Sequence, residues 1–388
     1  MTETSRFVAS YLDRVPPSGI RRFFDMVSDN EDVISLGVGE PDYITPWHIR
    51  EACIHSLEQG ETSYTSNYGL VELRDEISRT YTQKQGLYYD PTSEILVTSG
   101  VSEALDLAVR AITDPGDEII IVEPSYVAYA PAIIFAGGYP VSVQTCREDK
   151  FKLTSENLKK AITPKTKAIL LNYPNNPTGA VMDKKELEPI ADIVEEHDIM
   201  VISDEVYERM TYDTQHTCFA SLDGMRERTI VLNGFSKAYS MTGFRMAYAL
   251  APAPVLSAMM RIHQYSMLCA PITAQVGAIE ALKNGEEEVE KMVNEYNRRR
   301  RLIVKGFNNI GLDCFNPGGA FYAFPSVAST GLTSEQFAER LLEQQQVVTI
   351  PGDVFGRAGN GYLRCAYAAS REDIKEALER IETFISNI

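Results

Sequence analysis

Between about residues 90 and 250 the chain repeatedly sets a short apolar run against a polar or Gly/Pro-rich loop. The runs are 94–98, 118–122, 168–171, 200–203 and 229–232. They are apolar throughout rather than alternating, the pattern of strands covered by helices on both faces. Between them lie helical periodicities. In 102–112 the residues Ala104, Leu105, Ala108, Val109 and Ile112 share a face, and 185–197 shows a second such stripe. The arrangement predicts an α/β fold with a largely parallel sheet. Beyond Asn284 the texture changes to a long charged helix through Arg301, strand-like pieces at 321–324 and 361–366, and a terminal helix. This predicts a smaller α+β domain. The expected division is an N-terminal arm and part of the small domain in 1–45, a large domain in 46–284 and the remaining small domain in 285–388.

Composition narrows the function classes. The 388 residues carry 37 Lys and Arg against 54 Asp and Glu, a net charge of −17 that repels polyphosphate backbones. Nucleic acid is therefore not an expected partner. The polar start and the lack of a ~20-residue apolar run predict neither a signal peptide nor a membrane span, and hence a cytoplasmic protein. The six cysteines are scattered singly and the five histidines form no H-E-x-x-H or similar cluster, so no metal site is expected. The G-x-G in 36–42 is followed by Pro41 and no helix, which argues against a dinucleotide fingerprint.

Ligands of open α/β sheets gather at the carboxyl ends of the strands. Following the predicted strands in turn are Ser99, Gly100 and Ser102; Tyr126; Asn172 and Asn176; Asp204 and Tyr207; and Ser236 and Lys237. Together they suit a phosphorylated aromatic electrophile. The turn at Gly100 runs straight into a helix, whose free N–H groups favour a phosphate, although Ser102 reads equally as an ordinary helix cap. Asp204 can keep a ring nitrogen protonated, or cap a helix. Lys237, just beyond an apolar strand, is placed for covalent bonding to an aldehyde, with Ser236 and Arg245 nearby to hold a phosphate. Arg364 offers a fork for a carboxylate, or a domain-interface salt bridge.

The segments NYPNNPTG (172–179), SDEVY (203–207) and SKAYSMTGFR (236–245), with SLGVGEPD (35–42), YTSNYGLVELR (64–74) and NPGGAFYAFP (316–325), resemble the class I pyridoxal-phosphate-dependent aminotransferases of fold type I. The resemblance spans essentially the whole chain. It implies pyridoxal 5'-phosphate as cofactor, Lys237 as the Schiff-base lysine, Asp204 as partner of the pyridine nitrogen, and Asn176 and Tyr207 as partners of the ring's phenolic oxygen. It further implies that Tyr126 stacks on the ring, and that Gly100, Val101, Ser102, Ser236 and Arg245 form the phosphate cup. Arg364 matches the fork for the substrate's α-carboxylate, and Gly39 lies in the substrate-contacting loop. Tyr64 matches a tyrosine that reaches the neighbouring subunit's phosphate, which implies a homodimer with shared sites.

The expected reaction moves an amino group between an L-amino acid and 2-oxoglutarate. A branch that prefers aspartate carries Lys where this chain has Ser102, and SGIRRFFD (18–25) looks more like enzymes of aromatic or several amino acids. An aromatic or broad-range enzyme is thus expected, with Ile20 and Phe23 as apolar cover and Arg21 or Arg22 able to serve a distal carboxylate. An aspartate aminotransferase is the alternative. The rival classes are a lyase or synthase using the same cofactor, and a regulator with an aminotransferase-like ligand domain.

Overall fold

The computed structural model describes residues 7–17, 19, 20 and 32–388. Among these the elements run β1 (Ile34–Ser35), α1 (Trp47–Glu58), α2 (Val71–Gln85), β2 (Ile95–Thr98), α3 (Val101–Ile112), β3 (Glu118–Glu123), α4 (Tyr129–Phe135), β4 (Tyr139–Gln144), α5 (Ser155–Ala161), β5 (Thr166–Asn172), α6 (Lys184–Glu196), β6 (Met200–Asp204), β7 (Thr229–Gly234) and β8 (Ala247–Leu250). There follow α7 (Ala253–Ser266), α8 (Ile272–Asn284), α9 (Glu286–Asn309), β9 (Tyr322–Ala323), α10 (Ser334–Gln345), β10 (Val347–Val348), β11 (Ile350–Pro351), β12 (Leu363–Ala366) and α11 (Arg371–Ser386).

Seven strands form the main sheet in the order β2-β8-β7-β6-β5-β3-β4. All pairs are parallel except those of β8, which runs against both β2 and β7. The apolar runs are buried on both sides because successive side chains enter different cores. In β3, Ile119 and Ile121 pack with Leu105, Ala108 and Met259 of α3 and α7, while Ile120 and Val122 pack with Leu187, Ile190 and Val194 of α6. Helix α6 starts on a capping box, Asp183 with Glu186, which satisfies two otherwise free amides.

A separate core gathers α9, α10, α11 and the short strands β9 to β12, with Phe307, Phe337, Ile381 and Phe384 buried. Residues 34–42 belong to it at one end. β1 pairs in parallel with β10, and Leu36 is wholly buried there. At the other end Asp42 accepts two hydrogen bonds from Arg299 Nη1 of α9 at 2.9 and 2.8 Å and one from Tyr296 Oη at 3.1 Å. The Gly37–Glu40 stretch is therefore held at both ends while it crosses the mouth of the main sheet.

Arg299 is 9% exposed and its Asp42 partner 29%, so solvent screens the pair only in part. Arg299→Ala is expected to lower unfolding stability by about 1–3 kcal/mol, measured by urea denaturation. A loss indistinguishable from zero would show that the Asp42 end of the segment is not anchored this way.

Candidate active site

The parallel register places the strand ends side by side. Asn172 at the end of β5 pairs with Asp204 at the end of β6, and Asp204 with Leu232 of β7. The reversed strand β8 begins at the same edge, where Ala247 lies opposite both Thr98 and Gly234. Arg245, two residues before β8, is thereby brought to the turn after β2 and to the turn after β7. A cavity of about 470 Å³ opens along this edge. Val101, Ser102, Tyr126, Asn176, Asp204, Tyr207, Ser236, Lys237, Arg245 and Gly39 all line it, with Arg364 arriving from β12.

At one end of the cavity α3 presents its first turn with no side-chain cap; the Gly100 and Glu103 amides donate to the Thr98 and Gly100 carbonyls, while those of Val101 and Ser102 have no acceptor among the described residues. Gly100 has φ +84°, a conformation that favours glycine, and a Cβ there would lie 2.4 Å from Arg245 Nη2, so the cation approaches the turn as it does because no side chain stands there. Unfilled helix amides, the Ser236 hydroxyl and a guanidinium are groups whose chemistry suits an anion.

Deeper in, Asp204 is buried. Its Oδ2 accepts from Tyr129 Oη at 2.7 Å and its Oδ1 from the Val206 amide at 3.2 Å. Burial pushes its carboxyl up to about 6, and the two donors oppose that rise. Asp204 thus caps a turn and faces the cavity at once. Lys237 Nζ donates to the Gly39 carbonyl at 2.6 Å. Its surroundings push its amine down to about 8, through loss of water first and through the cations Arg364 and Arg245 as well.

At the far side Arg364, 2% exposed, donates from Nη2 to the Gly37 carbonyl at 2.7 Å and from Nη1 to Asn176 Oδ1 at 3.1 Å. No carboxylate pairs with it among the described residues, and its Nε is buried without a partner. The domain-interface salt bridge is thus not what holds it. A buried guanidinium short of an anion suits a carboxylate ligand chemically.

Residues 31–381 match the family model of aminotransferases of class I and II. The chain belongs to that family. Relatives agree along nearly the full length. The Bacillus subtilis (strain 168) protein YugH is 54% identical over 379 residues, 98% of each chain. An aspartate aminotransferase of Pyrococcus abyssi (strain GE5 / Orsay) is 46% identical over 374 residues, 96% of each chain. The crystal structure of the aromatic aminotransferase from Pyrococcus horikoshii OT3 superimposes with a TM-score of 0.90 at 46% identity, covering 95% of this chain and 99% of that one. This aminotransferase therefore has the fold that the sequence motifs implied and is an enzyme of amino-group transfer.

All but two of the residues expected at the site line the cavity. Gly100 lies just behind the lining, beside Val101 and against Arg245, and Tyr64 is 84% exposed and away from it. Of the segment 18–25 only Gly19 and Ile20 fall within the described residues, and Ile20 lines the cavity; Arg21, Arg22 and Phe23 lie outside them. Two aminotransferase residues went unassigned in the sequence. Tyr129 holds Asp204, and Tyr322 Oη lies 2.8 Å from Tyr207 Oη. Tyr322 sits inside the NPGGAFYAFP motif, whereas Tyr129 had only its position one helical turn beyond Tyr126 as a signal.

The burial of Asp204 has a sign that can be measured. Its folded pKa lies above the unfolded value, so its contribution to stability is full below about pH 4 and is lost as pH rises through about 6. In the ligand-free aminotransferase Asp204→Asn should raise stability by about 1–3 kcal/mol at pH 8 and give no gain at pH 4, followed by thermal unfolding across pH. A loss of stability at pH 8 would contradict the burial cost assigned to this carboxylate.

Proposed function

We propose that this enzyme binds pyridoxal 5'-phosphate and exchanges amino groups between L-amino acids, aromatic or of broad range, and 2-oxoglutarate. The observation that carries the reading is the juxtaposition of an enclosed amine, Lys237, with a buried carboxylate, Asp204, between an uncapped helix N-terminus and the anion-deficient Arg364. The donor set fits the cofactor at each end: amides, hydroxyl and guanidinium for phosphate, carboxylate for the ring nitrogen. When bound, the cofactor supplies an aldehyde that joins to amines and a protonated ring that draws electrons from the substrate's Cα.

The chain's own groups do the rest. The turn at Gly100 with the amides of Val101 and Ser102, the Ser236 hydroxyl and Arg245 bind the phosphate. Asp204, ionised above about pH 6, accepts from the ring N–H and holds that proton in place. Because Asn176 Oδ1 is taken by Arg364, its Nδ2 is left to donate to the ring's hydroxyl oxygen, alongside the Tyr207 Oη–H. Tyr126 covers one face of the ring. Arg364 clamps the substrate's α-carboxylate bidentately, which fixes the Cα–H bond relative to Lys237. With its amine near pH 8, Lys237 is neutral often enough at physiological pH for its Nζ to take the proton from Cα and return it as general acid.

Substrate range follows from the wall beyond these groups. Ile20, Val38, Leu105 and Val127 add apolar side chains to a lining that also holds Glu40, and the three cations among the described lining residues, Lys237, Arg245 and Arg364, already have tasks. A fixed distal cation would suit 2-oxoglutarate yet be left unpaired opposite an aromatic ring. The exposed Tyr64, together with Ile44 at 77% and Trp47 at 57% exposure, supports a homodimer in which Tyr64 completes the neighbour's phosphate site. Six free cysteines support a reducing, cytoplasmic setting. No helix among the described residues is long and apolar enough to cross a membrane. We also assign 46–284 to a large cofactor-binding domain, with 1–45 and 285–388 forming the arm and small domain.

With 2-oxoglutarate as acceptor, glutamate should form from phenylalanine or tyrosine with kcat/KM at least equal to that from aspartate. Pyruvate with ammonia in place of glutamate would identify a lyase instead. A tenfold preference for aspartate, about 1.4 kcal/mol in transition-state binding, would show a dedicated distal cation and overturn the aromatic reading.

A further inference from the structure

Tyr322 touches both halves of the cavity. It lies on β9, where it pairs across the strand with Ala366, two residues from Arg364. The Arg364 guanidinium stands 4.7 Å from the centre of its ring and 4.9 Å from that of Phe355. Phe321 packs against it with ring centres 4.8 Å apart. The ring is thus held by a cation and an aromatic neighbour, and only 1% of the residue is exposed. Its hydroxyl meets one side chain, Tyr207 Oη at 2.8 Å, and Tyr207 is itself buried. A Cβ on Gly39 would lie 2.7 Å from Tyr322 Oη, so that hydroxyl occupies space that exists only because residue 39 has no side chain.

The proton arithmetic of this pair has one solution compatible with a donor facing the cavity. Each phenol has a single proton. Were Tyr207 to donate to Tyr322, its proton would be used and it would present only lone pairs to the cavity. Were Tyr322 to donate to Tyr207, the Tyr207 proton would be free to point at a bound acceptor. Hydrogen bonds in such a chain strengthen one another, because an oxygen that accepts becomes a better donor.

We propose that Tyr322 is a positioning residue that donates to Tyr207 Oη and so turns the Tyr207 hydroxyl into an oriented, strengthened donor for the cofactor's ring oxygen. The inference rests on the cofactor reading given above. Lys237, whose Nζ stands 5.9 Å from the Tyr207 ring centre, and the charges of Arg364 and Asp204 also face Tyr207 and contribute to the same field. A double-substitution cycle separates the Tyr322 contribution from theirs, since they are present in every member.

The readout is the pH midpoint of the absorbance change of the cofactor-loaded enzyme without substrate, in the parent, Tyr322→Phe, Tyr207→Phe and the double variant. A stabilised ring oxygen loses its proton at lower pH, so removing a donor raises the midpoint. Tyr322→Phe should raise it by roughly 0.3–0.7 unit, Tyr207→Phe should raise it further, and the double variant should match Tyr207→Phe. Gly39→Ala retains both hydroxyls but displaces Tyr322 Oη, and should shift the midpoint in the same direction even if Tyr322→Phe fails to fold. An unmoved midpoint in Tyr322→Phe and in Gly39→Ala, with Tyr207→Phe shifted, would overturn the proposal and leave the cofactor reading standing. Additive shifts in the double variant would also overturn it. If Tyr207→Phe does not move the midpoint either, the role given to Tyr207 falls with it.

Discussion

Two groups of opposite charge, Lys237 and Asp204, are enclosed in one cavity without bonding to each other. Lys237 donates to the Gly39 carbonyl, and Asp204 accepts from Tyr129 and the Val206 amide. Had they formed a salt bridge, each would satisfy the other and neither would be available to a ligand. Held apart, both sit at a cost, which is why the amine is pushed down and the carboxyl up. Between about pH 6 and 8 both charges persist in the fold, so this is the range in which the site weighs most heavily on stability.

The surrounding architecture is what makes that separation possible. Parallel strands align their carboxyl ends, so Asn172, Asp204 and the turn carrying Lys237 stand in a row, each on a strand buried on both faces. Reversal of β8 returns Arg245 to the same edge. The segment 34–42, tied to β10 at one end and to Arg299 at the other, carries the carbonyls of Gly37 and Gly39 to Arg364 and Lys237. A glycine-rich crossing is needed here because Tyr322 Oη occupies the space where a side chain at position 39 would stand.

Much of this was legible from the chain. The apolar strands β3, β5, β6 and β7 announced themselves because burial on both faces leaves a continuous apolar run. β4 did not, since it is an edge strand whose sequence YPVSVQ alternates and stays partly exposed. β8 is four residues of small and aromatic type, AYAL, too short for periodicity to identify, and its reversal is a property of the sheet rather than of the segment. β9 lies inside the strand-like piece expected at 321–324, whereas β1, β10 and β11 are two residues each and exist through their partners. Among the site residues, charge and chemistry marked Lys237, Asp204, Arg245 and Arg364. Tyr129 and Tyr322 carried no such mark, because a buried tyrosine in a sequence is indistinguishable from core until its hydroxyl is seen to have a partner.

The central claim is that the Lys237 amine, set against Asp204, is where the cofactor's aldehyde is held. Borohydride reduction of the cofactor-loaded enzyme, followed by proteolysis and mass mapping, tests it most directly. The account predicts one modified peptide, with the added pyridoxyl phosphate on Lys237. Label on another lysine, or no covalent label on a protein that retains the cofactor, would contradict it.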